Sequence, residues 1–515
     1  MQSSKLKKTK EKRKQESFKK PGPGAPVEPA PIEIAQDEPD ELVEEFEDEW
    51  EDEQVEEENT EDGMITEEGF VPGEKAKKAN IVPFVGRKEE LAKGEVLEYS
   101  NSAYKMFHRA STEWPCLSID FLVDSFDPYT IVKRDFSEGE RGFEYPIDLY
   151  AVGGSQAEMS HMNSLYVMKF GNLSVTQYDD DEYIDRSFEE AEPVLCYEKI
   201  PLKSATNRVK SLQHYPIVGV MNENGQLQIH DIRGSFASLK ARKDGDALES
   251  EGKIKLLKQF MLSNEGYGLD FSPLVLGRVA AGTQDGRLYI IQPKDAQISD
   301  LVAADEQITN HTASIEDIQF SPVEPEVVAT CSVDRTIRLF DLRTPYKNVS
   351  ELKIDAHSCD VNVISWNRKA PNLLASGGDD GSFKVWDLRY VGKPAITHVH
   401  WHADAITSIE WQPHDEWTLC VGSADNRLSL WDFSVEKDDS EMVDENLQNI
   451  PDQLLFLHQG QEDLKECKWH PVYNNVLIST ASDGYNVFEP AIDVEDEDSV
   501  GSPNDLELIP EPINN

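Results

Sequence analysis

The sequence has no long apolar run. None of its hydrophobic stretches approaches the roughly 18 residues that a membrane span requires. No apolar segment follows the lysines near the N-terminus, as one would in a secretory signal. We therefore expect an intracellular protein that neither crosses nor binds a membrane.

Cysteine is scarce, and the sequence has no motif of an enzyme. The six cysteines form no Cys-x-x-Cys pair, so they are expected to be small core residues in a reducing compartment. No Gly-x-Ser-x-Gly nucleophile motif is present, and the glycine pairs at Gly153 and Gly377 lack the spacing of a phosphate-binding loop. The sequence predicts a non-enzymatic protein with no catalytic residues, no metal site and no cofactor.

Positive charge is in short supply. Against 98 Asp and Glu there are 50 Lys and Arg, which gives a net charge of −48. Residues 37–68 contribute −19 and residues 1–20 contribute +7, so the rest of the chain carries −36. Such a field repels nucleic acid and attracts basic proteins. We expect a basic protein as the partner and no direct contact with nucleic acid.

The N-terminal 93 residues have the composition of an unfolded arm. Residues 1–20 are a basic run, interpreted as a nuclear or nucleolar signal or as a plain solvated arm, and 21–93 are a Pro-rich spacer, an acidic tract and a linker. The acidic tract is either an inert solubilising tail or a mobile clamp whose aromatic residues cover apolar patches of a basic client. Its candidate contact residues are Asp37, Glu44, Glu45, Phe46, Glu47, Asp48, Glu49, Trp50, Glu51, Asp52 and Glu53.

Residues 310–388 contain two copies of one pattern. Each copy has a His, three short alternating apolar runs and a turn Asp, and the two histidines and the two turn residues are 46 positions apart in the sequence. A unit of about 40–45 residues with four strands and a Trp-Asp near its end is a propeller blade. The same turn position recurs seven times, at Asn163, Asn224, Asp285, Asp334, Asp380, Asp425 and Asp483.

The sequence therefore predicts an all-β, seven-bladed WD-repeat propeller over residues 94–492, followed by an acidic tail at 493–515. The last blade lacks an obvious fourth strand. Residues 95–99 are the preferred candidate, residues 491–494 the alternative, and residues 102–110 are expected to form a brief helix. Polar insertions at 178–192, 234–252 and 436–449 are interpreted as exposed loops.

Four polar positions in each central blade are assigned structural roles. In WD repeats a His, a hydroxyl residue, an Asp and a Trp form one hydrogen-bonded set, because buried polar groups need partners. One blade has all four, namely His357, Ser376, Asp380 and Trp386. The preceding blade has His311 and Asp334 but a Phe in place of Trp, and the following blade has His402, Asp425 and Trp431 but Val421 in place of the hydroxyl. Shortened networks are expected in both.

Acidic residues recur in the loops that precede the first strands. Loops at this position surround the mouth of a propeller channel, where carboxylates from successive blades converge. The alternative is that they are ordinary polar loop residues. The candidate partner-binding residues are Asp360, Asp404, Glu462 and Asp463.

Together, the basic start, the acidic block around Trp50, residues 104–108 and 114–118, and the repeats at 311–388 resemble the glutamate-rich WD-repeat proteins, a nucleolar ribosome-assembly family. This resemblance implies a dedicated chaperone of large-subunit ribosomal protein L three, acting as a monomeric scaffold in the nucleus and nucleolus and delivering its client to pre-60S particles.

Two alternatives remain. The segment before Trp114 also resembles histone-binding WD proteins, which would make histones the client. The Asp-x-Arg sequences that end at Arg233, Arg343 and Arg389 occur in substrate receptors of ubiquitin ligases as well.

Overall fold

The seven-bladed WD-repeat propeller predicted from the repeats is confirmed by the structure, a computed structural model. It describes residues 99–123, 143–176, 192–242, 247–294, 298, 300–346, 350–435 and 450–492. The first strand of each sheet packs against the first strands of the two neighbouring sheets, so seven sheets close a ring around a central channel.

The first three blades are the least regular. Blade 1 consists of β2 (Cys116–Leu122), β3 (Ile147–Ser155), β4 (Ser164–Leu173) and β5 (Val194–Pro201). Blade 2 consists of β6 (Thr206–Ser211), β7 (Ile217–Asn222), β8 (Gln226–Asp231) and β10 (Lys255–Met261). Blade 3 consists of β11 (Leu269–Phe271), β12 (Val279–Gly282), β13 (Leu288–Pro293) and β14 (Leu301–Ala303).

The next three blades have the spacing of the repeats. Blade 4 consists of β15 (Ile315–Phe320), β16 (Val327–Ser332), β17 (Thr336–Asp341) and β18 (Ser350–Asp355). Blade 5 consists of β19 (Val361–Trp366), β20 (Leu373–Gly378), β21 (Ser382–Asp387) and β22 (Thr397–His400). Blade 6 consists of β23 (Ile406–Trp411), β24 (Thr418–Ser423), β25 (Arg427–Asp432) and β26 (Leu454–Gln459).

Blade 7 is completed by a strand from the other end of the ordered chain. Its strands β27 (Glu466–Trp469), β28 (Leu477–Ala481) and β29 (Gly484–Pro490) are followed in the sheet by β1 (Tyr104–Ala110), which pairs antiparallel with β29. The expected helix at 102–110 is therefore wrong. Tyr104, Met106 and Phe107 are all buried, a pattern that a helix could also have produced.

Neither predicted closing segment forms that strand. Tyr99 lies before β1 and outside any strand, while residues 95–98 are outside the described ranges. Ala491 and Ile492 follow β29 without joining a sheet, although the Ala491 amide donates to the Ala103 carbonyl at 2.9 Å.

The insertion at 234–252 is not the loop that its polarity predicted. It contains helix α1 (Arg233–Ala241) and β9 (Glu249–Glu251), which adds a fifth strand to blade 1, parallel to β5. Phe236 and Leu239 of the helix are buried against blades 1 and 2. Three 3₁₀ turns, Asn101–Ala103, Ser160–Met162 and Leu388–Tyr390, are also present, and no helix in the described ranges is long and apolar enough to cross a membrane.

A repeated side-chain contact joins the blades around the channel. The inner edge of each first strand has no neighbouring strand, and its N–H groups need acceptors. At equivalent positions, a side chain of one first strand accepts a hydrogen bond from a backbone N–H of the next blade. The pairs are Asp120 with Ser211 (2.7 Å), Asp270 with Phe320 (2.8 Å), Gln319 with Trp366 (2.7 Å), Ser365 with Trp411 (3.1 Å) and Glu410 with Trp469 (2.7 Å).

Candidate functional site: the faces of the ring

The ring has two unlike faces. We call the end of the channel where the first strands begin the upper face, and the end where they finish the lower face. The loops with the predicted acidic residues lie on the upper face, directly before β19, β23 and β27. Asp404, Glu462 and Asp463 are exposed and Asp360 is half-buried. The four carboxylates therefore occur on one face, contributed by three consecutive blades.

Some of this negative charge is compensated locally. The Asp463 carboxylate accepts a hydrogen bond from the Lys465 ammonium at 2.6 Å. A further carboxylate, which the sequence reasoning missed, lies close to Asp360. Burial, reinforced by the charges of Asp360 and Asp317, raises the pKa of Glu316 against the opposing effects of Ser314 and Arg208. Glu316 lies within β15, so its strand position masked it in a search confined to loops.

Blade 4 has a network that ends at its histidine. His311 contacts Asp334 through Nδ1 at 2.9 Å and Thr330 through Nε2 at 2.7 Å. Phe340 has no N–H to add and lies edge-on to the imidazole, with ring centroids 6.2 Å apart. Burial lowers the pKa of His311 despite the neighbouring carboxylate, so this histidine is neutral at pH 7.

Blade 5 has all four residues of the pattern but does not link them as predicted. His357 Nε2 contacts the Ser376 hydroxyl at 2.9 Å, and the Trp386 indole N–H donates to the same hydroxyl at 2.9 Å. The Asp380 carboxylate instead accepts from the backbone N–H and the hydroxyl of Ser382. His357 Nδ1 is buried without a partner, and burial lowers the pKa of this histidine to about 4.

Blade 6 restores the missing hydroxyl from a different strand, so the expected shortened network is wrong. Val421 lies directly opposite Ser429 in the β24–β25 ladder. The Ser429 hydroxyl contacts His402 Nε2 at 2.8 Å and accepts from the Trp431 indole N–H at 2.8 Å. His402 Nδ1 lies 3.2 Å from both Asp425 oxygens.

The strand that closes blade 7 has its own polar anchor. The Tyr104 hydroxyl lies 2.7 Å from His458 Nδ1, and the Asn486 amide lies 3.0 Å from His458 Nε2. Burial, with a smaller contribution from Arg109, lowers the pKa of His458 to about 3. This neutral histidine therefore bonds strand β1 to the β29 partner that it closes.

Buried ions line the channel wall. Arg208 donates to Glu466 at 3.0 Å, and the Lys468 ammonium lies 3.3 Å from the same carboxylate. Although burial opposes it, the charges of Lys468 and Arg208 hold the pKa of Glu466 at about 2. These residues alternate along first strands and were not singled out from the sequence, because their charges resemble a solvated face until the ring brings them together.

The lower mouth of the channel opens into a cavity of about 450 Å³. Tyr215, Leu274 and Leu276, from the loops that follow β6 and β11, line it with exposed fractions of 37%, 45% and 42%. The lower face therefore presents apolar side chains at the position where the upper face presents carboxylates. The sequence reasoning did not predict this apolar mouth.

The predicted contacts in the acidic tract lie outside the described residues, as do the basic arm and the acidic tail.

Comparison with known proteins places this ring in a family. The WD domain, G-beta repeat profile matches residues 305–341, 348–387 and 393–432. Ribosome assembly protein rrb1 of Schizosaccharomyces pombe is 35% identical over 417 residues, covering 77% of this chain and 82% of that protein. Glutamate-rich WD repeat-containing protein 1 of Dictyostelium discoideum is 36% identical over 421 residues, covering 78% and 83%. The chain belongs to the glutamate-rich WD-repeat family.

Histone-binding proteins are more distant relatives of this family member. Residues 94–174 match the profile shared by histone-binding protein RBBP4 and a component of the CAF1 complex. Histone acetyltransferase type B subunit 2 of Debaryomyces hansenii is 25% identical over 392 residues, covering 74% of this chain and 85% of that protein.

Proposed function

We propose that this propeller is a chaperone that escorts a basic protein of the large ribosomal subunit, ribosomal protein L three, to pre-60S particles in the nucleolus. The observation that carries the proposal is the placement of carboxylates of three consecutive blades on the upper face, in a chain with a net charge of −48. The similarity to a protein named for ribosome assembly supports it. The chaperone acts by binding and shielding, without chemical catalysis.

The mechanism follows from charge. A ribosomal protein has a basic surface shaped to bind RNA, and acidic groups compete for that surface by replacing the phosphates. Upper-face carboxylates at the rim remain hydrated, so they mainly steer and orient the client. The acidic tract at 37–68 adds a second set of carboxylates with Phe46 and Trp50 among them, and the basic arm at 1–20 directs the complex to the nucleolus.

Charge reversal on one face tests the role of the upper face. Asp360→Lys combined with Asp404→Lys changes the net charge by the same amount as Glu324→Lys combined with Glu416→Lys, whose exposed side chains lie in lower-face loops. We expect the upper-face pair to weaken binding of purified ribosomal protein L three about tenfold at low salt, mainly through a slower association rate. Equal losses from both pairs would overturn the assignment to the upper face.

Deletion of residues 37–68 tests the acidic tract. We expect weaker client binding at physiological salt and more precipitation of the client. Replacing the tract with a Gly-Ser linker of equal length serves as the control for length alone. Unchanged affinity in the deleted chain would show that the tract is only a solubilising tail.

The second candidate function is histone binding, favoured by the profile match at residues 94–174. Titration of the intact chain with ribosomal protein L three and with histones H3–H4, at matched ionic strength, distinguishes the two. Preference for the ribosomal protein, together with loss of 60S subunits when the chain is depleted from cells, supports the first proposal. Preference for histones and impaired nucleosome assembly would replace it.

A further inference from the structure

Blade 5 departs from its neighbours at two positions that face each other on the upper face. In blades 4 and 6, Ser332 and Ser423 end the second strand, and their hydroxyls donate to the loop carbonyls of Ala313 (3.3 Å) and Asp404 (2.9 Å). In blade 5 the serine is replaced by Gly378, and the loop residue by Cys359. A thiol from the loop thus replaces a hydroxyl from the strand.

This exchange leaves a space surrounded by donor atoms. A Cβ placed on Gly378 would lie 2.8 Å from His357 Nδ1, 3.0 Å from Cys359 Sγ and 3.1 Å from Asp380 Oδ1. The three donor groups lie within 4.8 Å of one another. A nitrogen, a sulfur and an oxygen therefore converge on one point, and each needs to move by about 1 Å or less to reach the 2.0–2.3 Å of zinc coordination.

The histidine is already oriented for such a role. His357 is only 8% exposed, and its Nδ1 is buried with no hydrogen-bond partner, whereas the corresponding nitrogens of His311 and His402 contact Asp334 and Asp425. Its Nε2 is held by Ser376, whose hydroxyl is in turn held by the Trp386 indole. With Nε2–H donating to Ser376, Nδ1 presents its lone pair, the arrangement that second-shell partners impose on metal-bound histidines.

We propose that His357, Cys359 and Asp380 form a Zn²⁺ site on the upper face of blade 5. One nitrogen, one thiolate and one carboxylate match the ligand preferences of zinc and do not suit Mg²⁺ or Ca²⁺, which favour all-oxygen sites. Cys359 is half-buried and Asp380 is exposed, so the fourth coordination position faces solvent and holds water. Binding displaces the thiol proton of Cys359.

The site would join two segments of the upper face. His357 and Cys359 precede β19, and Asp380 lies in the turn between β20 and β21. Asp360, one of the carboxylates assigned to client binding, directly follows Cys359, so the metal would fix the loop that presents it. The sequence offered no metal motif because the ligands come from two loops and require Gly378 between them.

Spectroscopy of the intact, reduced chain tests the site. Co²⁺ replaces Zn²⁺ in tetrahedral sites and reports a cysteine ligand by a thiolate-to-metal charge-transfer band. We expect one Co²⁺ per chain with this band and its displacement by Zn²⁺. Cys359→Ala, which introduces the residue found at the equivalent position of blade 4, should abolish the band and weaken Zn²⁺ binding at least about 100-fold, since loss of a second-shell partner alone costs 10–100-fold.

Two further variants make the test specific. Gly378→Ser retains all three ligands but fills the space between them, so it should abolish binding as well. Cys196→Ala, which removes another partly exposed thiol, should leave the band unchanged. The absence of a charge-transfer band in the unsubstituted chain, or a band that persists in Cys359→Ala, would overturn the proposal.

Discussion

Blades 4–6 and blade 7 complete the same four-stranded sheet in different ways. In each of blades 4–6 a histidine and its hydroxyl partner lie within one continuous segment of about 45 residues. In blade 7 the fourth strand is β1, and Tyr104 reaches His458 across 354 positions of sequence. Local networks stabilise single blades, whereas the strand from a distant segment stabilises the ring as a whole.

Removal of β1 should have the largest effect. A chain lacking residues 1–110 loses the buried Tyr104, Met106 and Phe107 and exposes the edge of β29. At about 1.5–3 kcal/mol per buried side chain, the loss of roughly 5–9 kcal/mol approaches the whole stability of a typical domain. We expect aggregation or a non-cooperative melt by circular dichroism. A chain lacking only residues 1–98 is the control and should melt like the full-length protein; equal melting of both truncations would show that β1 does not close the ring.

Acid should weaken both kinds of closure. Burial lowers the pKa of His357 to about 4 and that of His458 to about 3, below the usual 6.5. As the pH falls, the unfolded chain takes up these protons first, so stability present above pH 6.5 is lost progressively towards pH 4. At pH 5 the loss is about 2 kcal/mol for each such histidine.

Denaturant unfolding at pH 7, 6 and 5 at constant ionic strength measures this loss. His161→Gln, at an exposed position, should leave the pH dependence unchanged. Stability that stays flat or rises towards pH 5 would contradict the neutral, buried state of these histidines.

Single hydroxyls distinguish the central blades from one another. Ser429→Ala leaves both His402 Nε2 and Trp431 Nε1 buried without partners, at a cost of about 2–4 kcal/mol. Thr330→Val strands only His311 Nε2, because Phe340 has no donor, and should cost about half as much. Thermal melts measure the difference.

Moving the hydroxyl back across the ladder serves as the control for blade 6. In the double variant Ser429→Ala/Val421→Ser, the new serine lies at the rung opposite position 429. We expect part of the lost stability to return. No recovery would show that the hydroxyl must come from the third strand in this blade.

Exposed ion pairs in the same blades should matter least. Arg343 and Arg389 each donate to the aspartate two residues before them, and both side chains are largely exposed. Arg343→Ala/Arg389→Ala should leave the melting temperature unchanged, since exposed pairs are hydrated and screened. A pull-down with the ligase adaptor then tests the ubiquitin-ligase alternative: we expect no adaptor binding by either chain, and capture of the unsubstituted chain alone would support that alternative.

The repeats revealed the ring because each blade is a local unit with its own turn residue and strand period. All seven predicted turn residues, from Asn163 to Asp483, lie between the second and third strands of their blades. Closure was mispredicted because it depends on pairing across the whole chain. Tyr104 and Phe107 are spaced as on one helical face, and only the open edge of β29 selects a strand for them.

The polar groups show the same limit. Val421 correctly indicated a missing hydroxyl, but the compensation by Ser429 depends on strand register. The channel ions Arg208, Glu466 and Lys468 come from blades 2 and 7, and their pairing exists only once the ring is closed. The apolar lower mouth likewise combines loops of different blades. Composition could indicate an acidic protein, but not how its charged and apolar groups are divided between the two faces.

The position of β1 has a consequence for how the protein is made. Its residues leave the ribosome first, yet their partner β29 is translated nearly four hundred residues later, so β1 must wait unpaired through most of synthesis. A nascent chain stalled anywhere before residue 484 has no edge to receive it. Premature termination in the last blade should therefore yield an open arc with no finished channel, in place of a slightly smaller working ring.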